Sequence, residues 1–202
     1  MIKFSVIITC HNREKFISKS IRSALNQVGI SKNEFEVLVV DDDSQDNSVN
    51  LIKDFLPTIK FFKNRKNLGI SSARNVGIKN SKGKYIFMLD SDDYISNNLL
   101  QVMGLFLDTN QEWDAVACDY TKVYEDGKII KRFFFKKNPI ACGVLYRRKC
   151  IFDLGLYNRK LKIHEEKDLR ERFLKKKYKM GYVQLPLYRY VIHSSNLTSE
   201  IK

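Results

Sequence analysis

The fold is decided by a stretch in which an apolar strand runs directly into acidic residues, Tyr85-Ile86-Phe87-Met88-Leu89-Asp90-Ser91-Asp92-Asp93. Carboxylates at the C-terminal end of a strand face water, so packing does not explain them. Their Asp-x-Asp spacing suits a hard divalent cation and, through it, a diphosphate. An earlier predicted strand ends in the same way, with Val37-Leu38-Val39-Val40-Asp41-Asp42-Asp43. Two strands that bring acidic residues to one edge of a sheet indicate a nucleotide site.

The first hundred residues alternate between predicted strands and helices. The strands are predicted at 3–9, 36–40, 59–63 and 85–89, and the helices at 16–28, 48–56 and 70–80. This alternation predicts an α/β fold in which a mainly parallel central sheet carries helices on both faces. Ligands of such sheets bind outside the carboxyl ends of the strands, so residues 9–12, 41–43 and 90–93 are expected to share one crevice.

The second half has an α+β pattern. Helices are predicted at 99–107 and 165–177, and strands at 115–124, 128–135 and 186–192, with a hairpin at Asp126-Gly127 and an unassigned segment at 141–156. No repeat or low-complexity linker separates this part from the first, so we expect both halves to form one compact unit.

The charge of the chain is strongly positive. The 202 residues include 44% hydrophobic residues and carry a net charge of +13. Residues 1–100 contain 15 Lys/Arg against 11 Asp/Glu, and residues 101–202 contain 21 against 12, so the excess lies in the second half. Such a surface attracts the phosphates of a nucleotide, of anionic lipid or of nucleic acid. A solvated lysine-rich surface without a partner is the alternative.

The four cysteines and the hydropathy pattern predict a compartment. The cysteines form no Cys-x-x-Cys pair, no signal peptide is recognisable, and no stretch approaches the roughly 20 apolar residues of a membrane span. We therefore expect reduced thiols and a cytoplasmic protein. The basic charge adds the expectation of peripheral contact with anionic lipid at the inner face of the membrane.

Glycine-rich phosphate-binding signatures are missing from the sequence. Neither a Walker A motif nor Gly-x-Gly-x-x-Gly occurs, so a bound diphosphate must be neutralised by a divalent metal, Mn²⁺ or Mg²⁺, and by basic side chains. Asp92 is the best direct ligand, and Asp90 is expected to bind the metal through water or to accept a ribose hydroxyl. A strand end with solvated acids is the alternative.

Three further motifs accompany the Asp-x-Asp strand. They are Val6-Ile7-Ile8-Thr9-Cys10-His11-Asn12, Val39-Val40-Asp41-Asp42-Asp43-Ser44 and Asn67-Leu68-Gly69-Ile70-Ser71-Ser72-Ala73-Arg74-Asn75-Val76-Gly77. In this order they resemble a family 2 glycosyltransferase with the GT-A fold of nucleotide-diphospho-sugar transferases, with Asp43 where many members have Gly. The resemblance is strong over about residues 3–95 and loose over about 140–195.

The resemblance implies a function. A sugar would pass from a UDP-sugar to a hydroxyl of a glycan or lipid-linked glycan, with inversion and with metal assistance. Residues 1–95 would be the nucleotide-sugar-binding half and 96–202 the acceptor-binding half of one domain. The Gln-x-x-Arg-Trp signature of processive synthases is absent, which favours transfer of a single sugar per encounter.

The resemblance also implies roles for individual residues. Thr9 would contact the base or ribose, Asp42 the uracil ring, and Asn67 the base. Arg74 would lie near the base and phosphates, with a helix-surface arginine as the alternative. The whole expected set is Thr9, Asn12, Asp42, Asn67, Arg74, Asp90 and Ser91 for the nucleotide-sugar, and Asp92 and His193 for the metal. For His193, a surface or loop-packing histidine is the equal alternative.

A general base is expected at the start of a late helix. An acceptor hydroxyl is a poor nucleophile until a carboxylate takes its proton. The family places an acidic pair there, and His164-Glu165-Glu166-Lys167-Asp168-Leu169-Arg170-Glu171-Arg172-Phe173 occupies the place. Aligning on Leu169 and Arg172 puts Glu166 on the base position, where Asp is usual, with Glu165 next. Acids that suit the helix dipole are the alternative.

Other functions remain open at this point. A nucleotidyltransferase uses a similar sheet but would need a glycine-rich loop after the first strand, and residues 9–13 contain no glycine. A catalytically inactive family member and a basic binding module are further alternatives, although we expect no nucleic-acid partner. The stretch Arg132-Phe133-Phe134-Phe135-Lys136-Lys137 is expected to be a half-buried strand, a membrane-facing surface or part of the acceptor cleft.

Overall fold

A computed structural model describes residues 1–161, 163–194 and 196. Within these residues the strands are β1 (Phe4–Cys10), β2 (Phe35–Asp41), β3 (Lys60–Lys63), β4 (Tyr85–Asp90), β5 (Tyr94–Ile95), β6 (Ala115–Tyr124), β7 (Ile129–Phe133), β8 (Val144–Arg147) and β9 (Met180–Ile192). The helices are α1 (Ile17–Leu25), α2 (Ser48–Lys53), α3 (Ile70–Asn80), α4 (Leu99–Thr109), α5 (Arg148–Asp153) and α6 (Glu165–Lys175).

The first half is a parallel sheet in the order β3-β2-β1-β4. Every residue of β1 and β2 is buried, as expected of strands covered on both faces. The chain moves outward from β1 to β2 and β3 and then returns to β4 on the other side. Right-handed crossovers therefore place α1 and α2 on one face and α3 on the opposite face. The predicted parallel sheet with helices on both faces is confirmed.

The second half continues the same sheet with mixed strand directions. Strand β8 is antiparallel to both β4 and β6, and β6 then pairs in parallel with β9. Strand β5 closes the order beyond β9, while β7 forms a hairpin with β6. The C-terminal ends of β6 and β9 therefore lie at the same edge as the C-terminal end of β4.

Several predicted boundaries are wrong. Strand β9 begins at Met180 instead of Pro186, because its first residues pair with the start of β6 before the register shifts near Asp119. The segment at 141–156 contains β8 and α5. Helix α1 ends at Leu25, and Val28 lies outside it, because the Val28 backbone N–H donates to the Asn97 carbonyl instead (2.7 Å).

Close packing of α3 on β1 sets the height of that helix above the sheet. A Cβ built at Gly77 would lie 2.3 Å from Cγ2 of Ile7, so only glycine allows this approach. Gly77 lies about one turn beyond Arg74, which is thereby held over the end of β4. Among the described residues, no helix is long and apolar enough to cross a membrane.

Candidate functional site

The C-terminal ends of β1, β2 and β4 meet at one edge of the sheet, as expected. Thr9 at the end of β1 lies opposite Asp90 of β4, and its neighbour Cys10 lies opposite Asp41 of β2. Thr9 is buried, with 8% of its surface exposed. Parallel strands in this register bring the two acidic stretches to either side of the first strand.

Asp42 organises the loop that precedes α3. One carboxylate oxygen accepts hydrogen bonds from the Asn64 side chain (2.7 Å) and the Leu68 backbone N–H (3.0 Å), and the other accepts from the Gly69 N–H (2.8 Å). The residue is buried. Asp42 was expected to contact the uracil ring. In the structure its carboxylate binds the backbone of the loop that contains Asn67, and the expected contact with the uracil ring stays a prediction.

His11 connects the first loop to Asn67 in a defined tautomer. Its Nδ1 donates to the backbone carbonyl of Asp42 (2.8 Å), because a carbonyl only accepts. Its Nε2 therefore accepts, from the side-chain amides of Asn67 (3.1 Å) and Asn12 (3.3 Å). The orientation of both amides is set by their oxygens: Asn67 Oδ1 accepts the Gly69 backbone N–H (3.0 Å), and Asn12 Oδ1 accepts the Gln45 backbone N–H (2.8 Å). His11 belongs to the segment 9–12 that was expected to line the crevice, but no role was predicted for it.

Two residues of this edge adopt left-handed backbone conformations. Asn12 has φ 51° and Asp43 has φ 64°. Asn and Asp are the non-glycine residues that tolerate this region best, and Gly tolerates it without cost. Glycine, which many members of the family that the sequence resembles have at the position of Asp43, would adopt this conformation without steric cost.

Arg74 lies in the interior of the protein and bridges two acids. Its Nη2 donates to Asp90 Oδ1 (2.8 Å) and its Nη1 to Glu165 Oε1 (2.5 Å). The guanidinium packs 5.2 Å from the centre of the Tyr157 ring. Only 1% of Arg74 is exposed, so the surface-arginine alternative is wrong. The expected contact with base and phosphates stays a prediction, since both terminal nitrogens already bind carboxylates.

Asp92 is held by two basic side chains. Its Oδ2 lies 3.2 Å from Nε of Arg13 and 3.1 Å from Nε2 of His193. Burial alone would raise the pKa of Asp92, but the hydrogen bond from His193 and the charge of Arg13 outweigh it and lower the pKa below its usual value. His193 also stacks on Phe16, with ring centres 4.4 Å apart. The two predicted metal residues are thus neighbours, although they are 101 positions apart.

The described residues offer only part of the ligand set that a divalent metal would need. No group of three or more His, Cys, Asp or Glu side chains is placed to hold an ion among residues 1–161, 163–194 and 196. The carboxylate of Asp92 is a donor suited to Mn²⁺ and Mg²⁺, whereas the His193 imidazole is a softer donor that Mg²⁺ does not favour. A metal held by these two side chains would take its other ligands from phosphate oxygens and water. Ser91, between the two aspartates, is buried.

Asp93 is a residue of this region that was not predicted to have a role. Its carboxylate accepts the Tyr188 hydroxyl (2.6 Å) and the Val191 backbone N–H (2.8 Å), which fastens β9 to the acidic loop. Burial, together with the charges of Asp92 and Asp90, raises the pKa of Asp93 well above its usual range. The acid is visible in the sequence, but its partners are almost a hundred residues away.

The two candidate bases at the start of α6 have different surroundings. Glu165 is buried against Arg74, and burial raises the pKa of its carboxyl although Arg74 opposes the change. Glu166 is half-buried and makes no side-chain hydrogen bond or ion pair with any described residue. The helix begins after His164, which has a left-handed backbone (φ 61°). Glu166 is therefore the acid that is available to a ligand.

The strand order and the TarS-like architecture are those of the GT-A fold, which is the fold of nucleotide-diphospho-sugar transferases. The family model described as Glycosyl transferase family 2 matches residues 5–182, and the chain therefore belongs to that family. A crystal structure of Staphylococcus aureus TarS 1-349 in complex with UDP superposes with a TM-score of 0.80 at 25% identity, covering 95% of this chain and 61% of that one.

Two relatives illustrate the range of similarity. An uncharacterized glycosyltransferase of Rickettsia bellii (strain RML369-C) is 40% identical over 131 residues, which are 64% of this chain and 18% of that protein. Poly(ribitol-phosphate) beta-N-acetylglucosaminyltransferase TarP of Staphylococcus aureus (strain N315) is 33% identical over 144 residues, 70% of this chain and 43% of that protein. The chain thus spans less than half the length of either relative.

Proposed function

We propose that the protein is an inverting glycosyltransferase that uses a UDP-sugar donor and a divalent metal. The observation that carries the proposal is the connection at one sheet edge between the Asp-x-Asp strand and the acidic start of α6. Arg74 makes this connection by binding both Asp90 and Glu165. An acidic strand end alone fits any cation site, whereas a second acidic element beside it supplies a base for an acceptor. The complex of TarS with UDP supports the choice of nucleotide.

The chemistry follows from the positions of the acids. Glu166 takes the proton of the acceptor hydroxyl, whose oxygen forms a bond to the anomeric carbon from the side opposite UDP. The bond from that carbon to the diphosphate oxygen breaks, and UDP leaves with the electron pair. Asp92 and His193 would hold the metal, which when bound supplies positive charge beside the leaving diphosphate. Arg13 adds a fixed positive charge next to Asp92.

For the acceptor, we propose a glycan that carries phosphate groups. The turn of the β6–β7 hairpin lies near Tyr94, the residue directly after the acidic loop, because a Cβ built at Gly127 would lie 4.0 Å from the Tyr94 hydroxyl. The turn before β7, the strand itself and the residues after it expose the basic side chains Lys128, Lys131, Lys136 and Lys137. The name of TarP, a poly(ribitol-phosphate) transferase, points to the same acceptor chemistry.

The acceptor proposal predicts a charge-dependent KM. The variant K131Q/K137Q is expected to raise KM for a phosphate-containing glycan severalfold and to weaken its salt dependence. The matched control K53Q/K79Q changes two exposed lysines on α2 and α3 and should leave KM unchanged. Equal KM values for phosphate-containing and neutral glycans would contradict the proposal. Salt-dependent binding to anionic vesicles without any effect on glycan KM would assign the surface to the membrane instead.

Release of UDP tests the activity itself. UDP-sugars are screened with Mn²⁺, first for thermal stabilisation and then for turnover. The variant D92N should lower UDP release by about 100-fold or more, and E166Q by about 100- to 10,000-fold. The control D108N removes a carboxylate at the opposite sheet edge, where Asp108 binds Lys3 and Lys84, and should keep wild-type turnover.

Two outcomes would replace the proposal. Release of pyrophosphate instead of UDP would mean nucleotidyl transfer. Binding of UDP-sugars without turnover on any acceptor would mean an inactive family member. The expected cytoplasmic location is a prediction that fractionation of cells would test.

A further inference from the structure

One face of α3 holds the chain segment that leads into α6. Ser71 Oγ donates to the Leu161 carbonyl (3.1 Å). The Asn75 amide donates to the Tyr157 carbonyl (2.8 Å) and accepts the Tyr157 N–H (2.9 Å). With Arg74, these side chains occupy positions i, i+3 and i+4 of the helix and so project from one face. The motif that resembles a nucleotide-binding element is thus also a support for the second half of the chain.

The bridge made by Arg74 differs from the other two contacts because it reaches both sides of the site. One terminal nitrogen binds Asp90, the last residue of β4, on the side of the site proposed for the UDP-sugar. The other binds Glu165, the first residue of α6. The planar guanidinium has a rigid fork, so movement of one acid is passed to the other. Glu165 is also the immediate neighbour of Glu166.

We propose that Arg74 is a positioning residue that couples nucleotide binding at Asp90 to the placement of Glu166, and that Glu165 is its attachment point and not the base. This inference rests on the proposed function. Glu165 is unsuited to taking a proton from an acceptor, because the residue is only 5% exposed and its carboxylate is already bound to Arg74. Glu166 depends on this anchor, and a misplacement of about 1 Å can lower turnover about 100-fold.

A purely structural ion pair would behave differently. If a buried ion pair only supports the fold, breaking it lowers the free energy of unfolding but does not lower kcat specifically. Loss of a positioning residue instead lowers kcat, the turnover of the enzyme once the UDP-sugar is bound. The test uses E165Q, which keeps an oxygen that accepts from Arg74 but removes the charge, and R74K, which keeps the charge but loses the fork. Both leave Asp90 with a possible cationic partner, so folding is expected to survive.

Steady-state kinetics form the first part of the test. E165Q and R74K should lower kcat about 10- to 100-fold, with KM for the UDP-sugar within about threefold of wild type. The acidic limb of the pH–rate profile should persist in E165Q and disappear in E166Q, because only Glu166 takes the proton. Wild-type kcat in E165Q would overturn the proposal. So would loss of the acidic limb in E165Q, which would make Glu165 the base.

Hydrogen exchange forms the second part and does not depend on turnover. Addition of UDP should slow exchange of the backbone amides of residues 165–168 in wild type, but not in E165Q or R74K. The control R147M alters a different arginine, which is half-buried and binds the Trp113 and Leu107 carbonyls, and should keep the wild-type response. If UDP does not change the rate of amide hydrogen exchange in α6 of the wild-type protein, the proposed coupling is wrong.

The two proposals fail in different ways. A wild-type protein that binds UDP and shows the exchange response but transfers no sugar would refute the proposed function and leave the coupling standing. Normal transfer with an unresponsive α6 would refute the coupling alone. A wild-type protein that binds no UDP would refute both.

Discussion

The hydroxyl of Tyr188 donates a 2.6 Å hydrogen bond to the buried carboxylate of Asp93, across 95 positions of the chain. The same hydroxyl lies 3.4 Å from the backbone nitrogen of Asp90, which donates to it. A single phenol therefore joins β9 to the loop that carries the Asp-x-Asp residues. Because His193 directly follows β9, this contact also helps to set where His193 meets Asp92.

Replacement of Tyr188 by Phe should destabilise the protein. Y188F leaves one oxygen of the buried Asp93 without its donor, and an unsatisfied buried acceptor costs about 1 to 3 kcal/mol. Urea denaturation should show this loss as a lower midpoint with an unchanged m-value. The control Y182F changes a more exposed tyrosine of the same strand and should stay within about 0.5 kcal/mol of wild type. Equal stability of Y188F and wild type would mean that water satisfies Asp93.

Glycine at position 43 should stabilise the protein slightly. Asp43 has φ 64°, a conformation that glycine adopts without steric cost. We expect D43G to raise the free energy of unfolding by about 0.5 to 1 kcal/mol, whereas D43A should lower it, because alanine gains nothing from a local polar side chain there. Thermal denaturation of the three proteins checks the order. An order in which D43A is the most stable would contradict the conformational explanation.

The strands were predictable where burial covers both faces. Strand β1 was expected at 3–9 and lies at Phe4–Cys10, because a short continuous apolar run followed by polar residues is typical of a strand covered on both faces. The start of β9 was not predictable, since Met180–Leu185 mixes apolar, polar and glycine residues. It is a strand only because β6 is beside it. The residues of a segment do not by themselves show which strand will lie beside it.

The same limit applies to the site. Asp90 and Asp92 were identified because acids at the end of a strand stand out locally, whereas Glu166 was identified only through the family resemblance. The partner of Arg74 at Glu165 is 91 positions away, and the contact of Asp92 with His193 was expected only through the family resemblance. The acidic residues could be predicted from the sequence, whereas their contacts, such as those of Glu165 with Arg74 and of Asp92 with His193, depend on the fold.

A buried acid remote from the site should show in the pH dependence of stability. Glu36 accepts from the Ser5 hydroxyl (2.6 Å), the Lys82 N–H (2.6 Å) and the Lys60 ammonium (2.5 Å). Burial by itself would raise the pKa of Glu36, but the hydrogen bonds from Lys60, Ser5 and Lys82 together lower it below the ordinary 4.5. A carboxyl with a lower pKa in the folded state stabilises the protein above the unfolded pKa and loses that contribution as the pH falls.

The variant E36Q tests this contribution. At pH 7 it should be less stable than wild type by about 1 to 3 kcal/mol, because charged hydrogen bonds are lost. The difference should shrink as the pH falls below about 4.5, where the unfolded carboxyl becomes protonated, and continue to shrink through the lower folded pKa. Denaturation curves of both proteins from pH 7 to pH 3 measure it. A difference that is constant over this range would mean that the charge of Glu36 contributes nothing.

Removal of the His193 imidazole should weaken metal binding more than it weakens the fold. Nε2 of His193 lies 3.1 Å from Asp92, and the ring stacks on Phe16. If the histidine is a metal ligand, H193Q should raise the Mn²⁺ concentration needed for thermal stabilisation of the UDP complex by about tenfold or more. The control F16L removes the stacking but keeps the imidazole, so its Mn²⁺ dependence should match wild type. If F16L and H193Q shift the Mn²⁺ dependence equally, His193 serves to pack the loop and Asp92 is the remaining protein ligand.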